Sequence, residues 1–231
     1  MSWRTNPSVL MLRNIGRIFG LNKWIASFLL GKGYETKYEK SFSAALKQGD
    51  CVWDVGANVG YYTRLFSKRV HDQGIVFAFE PSPVNFKQLK EACILLDNVT
   101  LLPYGLGKDN GSFRFQQGTD DLGATSRIVD SDEQGLVVKI HAGKTLIGEN
   151  KVLPPNALKI DVEGFELEVL EGLGNHLRNK QLRAIGIEIH FRILKERGMP
   201  RAPQAIETLL VRSGFSVSWP DSSHLLAFRN P

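Results

Sequence analysis

The stretch Val52-Trp53-Asp54-Val55-Gly56-Ala57-Asn58-Val59-Gly60-Tyr61 decides how this sequence folds. An apolar run that ends in an acid and passes into a glycine turn is typical of a buried strand followed by a helix. Glycines in such a turn let a ligand approach the backbone, and the helix start offers unpaired N–H groups. The stretch therefore predicts a strand–turn–helix unit that binds a ligand.

The residues within and after this turn distinguish between the classes of cofactor that bind at glycine turns. A phosphate-binding P-loop needs Gly-Lys-Ser/Thr after the loop, where this chain has Tyr61-Tyr62. A dinucleotide fingerprint needs a second glycine where Asn58 stands, because the pyrophosphate must come close to the backbone there. Asp54 would also repel a pyrophosphate. It suits a ligand with an ammonium group, such as S-adenosylmethionine.

Glu80 ends a second apolar run, Ile75-Val76-Phe77-Ala78-Phe79, and follows Gly60 by twenty residues. That spacing is usual for an acid that accepts both hydroxyls of a ribose. An acid at this place excludes a 2′-phosphate and therefore NADP. The alternative, that Asp54 and Glu80 only cap helices, is weakened by the glycine turn between them.

The rest of the pattern predicts an α/β fold, in which short Val/Ile-rich runs without a polar face alternate with amphipathic segments. Such alternation is typical of a doubly wound, mostly parallel sheet with helices on both faces. A β-rich insertion on the edge of the sheet is expected at 111–145, and a terminal antiparallel hairpin at 215–228. The predicted strands are 51–55, 75–79, 99–102, 157–162, 183–189, 215–219 and 224–228, and the predicted helices are 61–69, 83–95, 165–173 and 203–213.

Two further strand ends carry polar side chains. Asp161 and Glu163 lie two residues apart at the end of one strand, so we expect them to project to one side. Glu188 and His190 end the next strand and are expected to share a face. A carboxylate and an imidazole at the mouth of a parallel sheet can deprotonate a hydroxyl or hold a metal. The alternative for His190 is a hydrogen-bonded structural residue.

The acids that follow Gly164 have a simpler interpretation. Glu166 and Glu168 stand at the start of the predicted 165–173 helix, where negative side chains favour the helix dipole. We therefore interpret both as helix-stabilising residues. A divalent metal between Asp161, Glu188 and His190 stays open as an alternative, although the prediction assigns no metal ligand.

Length and composition agree with this fold. With 231 residues and 42% hydrophobic side chains, the chain can bury a real core, which excludes wholesale disorder. Only two cysteines occur, Cys51 and Cys93, which excludes a cysteine-rich zinc module and favours a reducing, cytoplasmic location. We expect a helical lead-in at 1–48 and one enzyme domain at 49–231.

The positive charge is concentrated in the lead-in. The chain carries a net charge of +5, and its first fifty residues hold eight bases against three acids. A nucleic-acid-binding face spread over the fold is therefore not expected. Either the lead-in docks on the domain, or it presents a basic amphipathic surface to an anionic membrane or a partner. The sequence indicates no oligomeric state.

Three motifs carry a family resemblance over residues 49–190. In order they are Asp54-Val-Gly-Ala-Asn-Val-Gly, Phe79-Glu80-Pro81 and Lys159-Ile-Asp-Val-Glu-Gly-Phe-Glu, and together they resemble the FkbM family of S-adenosylmethionine-dependent methyltransferases. The resemblance implies a seven-stranded, Rossmann-like class I sheet. It also implies O-methylation of a small-molecule hydroxyl acceptor: a sugar, a polyketide or another secondary metabolite. One departure is Thr145-Leu146-Ile147, where many members have Thr-Leu-Asp.

The resemblance also implies roles for the residues picked out above. Those expected to bind the cofactor are Asp54, Gly56, Asn58, Gly60, Tyr61, Glu80 and Pro81. Those expected to serve catalysis are Asp161, Glu163, Glu188 and His190. Two other functions stay open at this point: an NAD-binding oxidoreductase on a similar sheet, and a non-catalytic module that binds a membrane or a partner.

Overall fold

The computed structural model describes residues 37–116, 127–129 and 136–229. Its strands are β1 Cys51–Val55, β2 Ile75–Phe79, β3 Val99–Leu102, β4 Gly105–Gly107, β5 Gly111–Gln116, β6 Arg127–Val129, β7 Leu136–Ala142, β8 Ala157–Ile160, β9 Ala184–Glu188, β10 Phe215–Ser218 and β11 His224–Arg229. Its helices are α1 Lys37–Ala45, α2 Tyr61–Val70, α3 Pro83–Ala92, α4 Gly143–Gly148, α5 Glu166–Gly172, α6 Phe191–Glu196 and α7 Ala202–Arg212, with a 3-10 helix at Gly174–Arg178.

The main sheet has seven strands in the order β10-β11-β9-β8-β1-β2-β3. Strands β9, β8, β1, β2 and β3 run parallel, while β11 is antiparallel to both β9 and β10. The predicted mostly parallel sheet with a terminal hairpin is thus confirmed. Chain order reverses between β1 and β8, and open α/β sheets bind ligands at the carboxyl edge of such a point.

Strand β1 can lie in the centre of the sheet because its residues are apolar or, where they carry a polar group, have a hydrogen-bond or ion-pair partner for it. All five are buried, and the Trp53 side chain is fully so, against the ring of Phe79. The Trp53 indole N–H donates to the carbonyl of Leu153 at 2.9 Å, so its burial leaves no donor unpaired. These contacts fix the end of β1, and with it Asp54, at the carboxyl edge.

The lead-in is described from residue 37 onward, and that part docks on the sheet. Helix α1 buries Tyr38 and Phe42. It packs so closely on β9 that a Cβ at Gly186 would come within 2.6 Å of the Tyr38 hydroxyl. Residues 1–36, and with them the predicted basic surface, lie outside the described residues. Within the described ranges, no helix has the length and apolar character to span a bilayer.

The predicted β-rich insertion forms a sheet of its own, in the order β4-β7-β5-β6. Our placement of it on the edge of the main sheet is therefore wrong. Helix α5 links the two sheets: it packs so tightly on β4 that a Cβ at Gly172 would lie 1.9 Å from the carbonyl oxygen of Gly107. Sequence analysis missed β4 because Gly-Leu-Gly has no strand-like pattern.

Two strand ends differ from the prediction in a way that shapes the site. Strand β8 ends at Ile160, because Glu163 and Gly164 adopt left-handed backbone conformations with φ of 50° and 92° and turn the chain into α5. Strand β9 ends at Glu188, and His190 lies beyond it as the residue that caps α6. Our expectation that Glu188 and His190 share a strand face is therefore wrong.

Candidate active site

The turn after β1 lies against the end of β8. Gly56 has a φ of 78°, and a Cβ there would lie 1.8 Å from the carbonyl oxygen of Asp161, so only glycine fits. Gly60, with a φ of 89°, begins α2. Asn58 is also left-handed, with a φ of 50°. The turn thus places its backbone at the point where β1 and β8 diverge.

Glu80 connects this turn to the end of β2. Its Oε2 accepts from the backbone N–H of Asn58 at 2.8 Å, and its Oε1 accepts from that of Ser82 at 2.8 Å. The side chain is buried, and burial raises its pKa to about 7 although both N–H groups lower it. The carboxylate is held in one orientation and retains lone pairs for hydroxyl donors.

Asp54 is fully buried beneath the turn. Lys159 Nζ, on the adjacent residue of β8, lies 3.1 Å from its Oδ1, and the Thr63 hydroxyl donates to its Oδ2 at 2.6 Å. Lys159 also donates to the Gly56 carbonyl at 2.8 Å. Burial alone lowers the pKa of Lys159, but the charges of Asp54 and Asp161 outweigh it and raise that pKa. The contact of Asp54 with a ligand ammonium stays a prediction.

Lys159 was not among the residues we predicted for the site. A signal existed, because a lysine inside the apolar run Ala157–Ile160 needs a buried carboxylate as its partner. The other two cofactor residues in the prediction lie at the rim of the turn. The Tyr61 hydroxyl donates to Glu39 of α1 at 3.1 Å, and Pro81 lines a shallow groove with Phe86 and Pro103.

Four side chains form what we call the acid–histidine cluster: Asp161, Glu163, Glu166 and His190. His190 Nδ1 lies 2.7 Å from Glu166 Oε1. His190 Nε2 faces the other two carboxylates, at 3.4 Å from Glu163 Oε2 and 3.7 Å from Asp161 Oδ1. Asp161 and Glu163 were expected to project to one side, and both do reach the same imidazole nitrogen.

Electrostatics within the cluster follow from this crowding. Burial alone lowers the pKa of His190, but the hydrogen bond with Glu166 and the charges of Glu163 and Asp161 raise it to about 10. Burial raises the pKa of Glu163 to about 7, against the lowering effect of His190. The imidazole therefore carries the positive charge that the carboxylates around it require.

Glu166 stands in the first turn of α5, as predicted, and has a second role beside favouring the helix dipole. Its side chain is fully buried, and its Oε1 accepts from the backbone N–H of Gly164 at 2.8 Å as well as contacting His190. A residue that only favours a helix dipole would be exposed, so Glu166 is a positioning residue for the imidazole. Glu168, also assigned to the dipole, forms an ion pair with Arg197 at 2.6 Å.

Glu188 lies in a second pair at the same edge. Its Oε2 is 3.5 Å from Nε2 of His224, the first residue of β11, which pairs with Glu188 in register. His224 Nδ1 lies 2.9 Å from Asp221 Oδ1, and the centre of the His224 ring lies 4.4 Å from that of Tyr38, with the two rings tilted by 34°. Motif analysis had assigned no role to Asp221 or His224, because only strand pairing brings them to this edge.

The residues at this edge fit an adenosyl ligand better than a phosphate. Gly56 allows close approach to the backbone, while Glu80 offers a fixed acceptor for ribose hydroxyls. A pyrophosphate needs free donors or cations at the turn, but Lys159 is already engaged by Asp54 and the Gly56 carbonyl. The donor set therefore matches S-adenosylmethionine and not a dinucleotide.

Comparison with known proteins decides the family. A model of the "Methyltransferase FkbM domain" matches residues 54–217. The chain belongs to the FkbM methyltransferase family. S-adenosylmethionine is the cofactor of this FkbM domain, as predicted, and the match favours methyl transfer over the NAD-dependent alternative.

Relatives of the FkbM domain agree in sequence and in fold. Over 145 residues the chain is 34% identical to the hexuronic acid methyltransferase AglP of Haloferax volcanii, covering 62% of this chain and 57% of AglP. Over 81 residues it is 36% identical to the 31-O-demethyl-FK506 methyltransferase FkbM of Streptomyces tacrolimicus, covering 35% and 31%. The crystal structure of an FkbM methyltransferase from Methylobacillus flagellatus superposes with a TM-score of 0.55 at 15% identity, covering 84% of this chain and 46% of that one.

The chain spans less than two thirds of the length of these curated relatives. The fold shared with the Methylobacillus protein is the class I methyltransferase fold that the resemblance implied.

Affinity for an adenosyl ligand is expected to depend on pH through Glu80. We predict that ribose hydroxyls bind this carboxylate, whose pKa is about 7 without ligand, so affinity for 5′-methylthioadenosine should rise about tenfold from pH 6 to pH 8. This probe has no amino group that titrates in that range. Glu80→Gln should abolish the dependence, and Glu149→Gln, at an exposed ion pair, should keep it. Equal affinity at both pH values, measured by calorimetry, would contradict the role of Glu80.

Proposed function

We propose that this protein transfers the methyl group of S-adenosylmethionine to a hydroxyl oxygen of a small-molecule acceptor, such as a sugar or a polyketide. One observation carries the proposal. The glycine turn with Glu80 and the acid–histidine cluster lie on the two sides of the point where the sheet reverses its strand order. A cofactor on the first side brings its reactive end towards the carboxylates on the second.

The glycine turn, Asn58 and Glu80 would hold the cofactor, and Asp54 supports the turn through Lys159. Bound S-adenosylmethionine supplies an electrophilic methyl group on a sulfonium, whose departure needs no protonation. The chain's own residues must then orient the acceptor oxygen and take up its proton. Such orientation can lower a barrier by about 7–11 kcal/mol.

We infer that Asp161 and Glu163 receive that proton. Both are partly exposed, with 27% and 37% of their side-chain surface open, while His190 behind them is less accessible at 17%. Their oxygens lie within 3.7 Å of one imidazole nitrogen, which holds them side by side. A base positioned in this way contributes about 10²–10⁴-fold to a rate. We assign the proton transfer to these carboxylates and the orientation of both to His190.

Two relatives support a small molecule of the sugar or polyketide kind as the acceptor, without indicating which of its groups is methylated. AglP is a methyltransferase of hexuronic acid, and the Streptomyces tacrolimicus protein acts on 31-O-demethyl-FK506. A hydroxyl acceptor also suits the charge of this site, because a carboxylate on the acceptor would be repelled by the carboxylates of Asp161, Glu163 and Glu188. We therefore propose a neutral hydroxyl, not an acid group, as the atom that is methylated.

The test is transfer of a labelled methyl group. The full chain is incubated with methyl-labelled S-adenosylmethionine and panels of neutral glycosides, hexuronic acids and polyketide alcohols. We expect labelled product that survives mild alkali, because a methyl ether is stable where a methyl ester is hydrolysed. Label released by alkali would show carboxylate methylation and contradict the proposal.

A further inference from the structure

We propose that Asp161, Glu163 and His190 bind one divalent transition-metal cation at the carboxyl edge of the sheet. Each of the three offers one ligand atom, and these atoms all lie within 4.8 Å of one another. Ligands held at about 2.0–2.2 Å from one cation lie about 3–4 Å apart. The distances from His190 Nε2, 3.4 Å to Glu163 and 3.7 Å to Asp161, are already in that range.

The orientation of His190 is a separate observation that points to a metal. Glu166 contacts the Nδ1 side of the ring at 2.7 Å, so Nε2 must face the two partly exposed carboxylates. A carboxylate that fixes the far nitrogen of a histidine is the usual support of a metal-bound imidazole. Glu166 is itself fully buried and anchored by the Gly164 N–H, so it cannot be a surface acid paired by chance.

Backbone geometry serves the same arrangement. Glu163 is not glycine, yet its φ is 50°, a conformation that costs energy for such a residue. This turn, continued by Gly164 at 92°, brings the Glu163 carboxylate beside His190 instead of leaving it along the line of β8. Strain of this kind persists where the surroundings impose it, and here it completes a set of three ligands.

The donor set indicates which cations fit. One imidazole nitrogen with two carboxylate oxygens is a mixed set that suits Mn²⁺, Fe²⁺ or Zn²⁺ better than the all-oxygen shells of Mg²⁺ and Ca²⁺. Three carboxylates stand around one histidine in the cluster, and Asp161 is the one of the three that Lys159 reaches, at 3.7 Å. A divalent cation that displaces the proton of His190 Nε2 would add one positive charge and so offset this excess of negative charge. If the proposed function holds, it could also polarise the acceptor hydroxyl.

The experiment measures metal binding without any reaction. The full chain, stripped with a chelator and dialysed, is titrated with Mn²⁺, and free Mn²⁺ is followed by its EPR signal. We expect one Mn²⁺ per chain with a Kd of about 1–50 μM. His190→Gln and Glu163→Gln should each weaken binding by at least about 100-fold, and Glu166→Gln by about 10–100-fold.

The matched control is His71→Asn. His71 is an exposed histidine after α2 whose φ of 56° asparagine tolerates, and its loss should leave Mn²⁺ affinity unchanged. No saturable uptake by the wild-type chain up to about 1 mM would overturn the proposal. A Mn²⁺ affinity of Glu163→Gln within about threefold of wild type would also overturn the proposal. This variant keeps the test valid even if His190→Gln does not fold, because the partly exposed side chain of Glu163 tolerates the change.

Titration of the same preparations with S-adenosylhomocysteine keeps the two proposals separate. Failure to bind Mn²⁺ with the nucleoside ligand still bound overturns the metal site alone. Loss of the nucleoside ligand with Mn²⁺ still bound contradicts the proposed function and leaves the metal site standing.

Discussion

His190→Gln is expected to lower the rate of methyl transfer by about 10²-fold, because the two base carboxylates lose the imidazole that positions them, while affinity for S-adenosylhomocysteine stays within about twofold of wild type. The reason is geometric. His190 Nε2 holds Asp161 and Glu163 together at 3.7 and 3.4 Å on the β8 side of the sheet, whereas Glu80 lies at the end of β2. The rate is measured with the acceptor found by the labelling screen, and the affinity by calorimetry.

Two variants sharpen this prediction. Glu166→Gln removes the charge that orients the imidazole and should lower the rate less than His190→Gln does, because the imidazole itself still lies between Asp161 and Glu163. His71→Asn, at the opposite edge of the sheet, should leave the rate unchanged. A rate within about threefold of wild type for His190→Gln would remove His190 from the catalytic site.

Lys159→Met is expected to lower the free energy of unfolding by about 3–5 kcal/mol. The substitution leaves the carboxylate of Asp54 fully buried and without its cation, which lies 3.1 Å away in the wild-type chain. It also removes the donor to the Gly56 carbonyl. Urea unfolding followed by circular dichroism measures the change, and the Asp54→Asn/Lys159→Met double variant should recover part of the loss.

The matched control for this prediction is Lys151→Met. Lys151 pairs with Glu149 at 2.7 Å, but both side chains are about half exposed, so no resolvable change is expected. A loss below about 1 kcal/mol for Lys159→Met would show that the buried pair does not hold the turn together.

The fold could be predicted because its core strands are continuous apolar runs. Strands that contain residues such as Trp53 and Phe79 have no polar face to expose to water. A parallel sheet with both faces covered by helices buries such strands. The insertion at 111–145 was placed wrongly because its pairing partner, β4, consists of Gly105, Leu106 and Gly107 and gives no pattern to read.

The residues of the candidate site could be predicted only where a polar side chain directly follows the end of a parallel strand. Glu80 and Asp161 belong to that group, since parallel strands place their carboxyl ends at one edge. His224 reaches the same edge through antiparallel pairing with Glu188, a contact across 36 residues of sequence that no local motif reports. Glu166 does stand in the first turn of α5, as predicted, but its contact with His190 was missed because the start of a helix explains an acid whether it is exposed or buried.

Methyl transfer by this chain requires the adenosyl cofactor, so calorimetric titration of the purified full chain with S-adenosylmethionine, S-adenosylhomocysteine and NAD is the most direct test of its function. Wild type and Glu149→Gln should bind both adenosyl ligands at micromolar concentration and fail to bind NAD. Glu80→Ala should bind them at least about 100-fold more weakly, because the fixed acceptor for the ribose is gone. Absence of adenosyl binding by the wild-type chain, or tighter binding of NAD, would contradict the methyltransferase account.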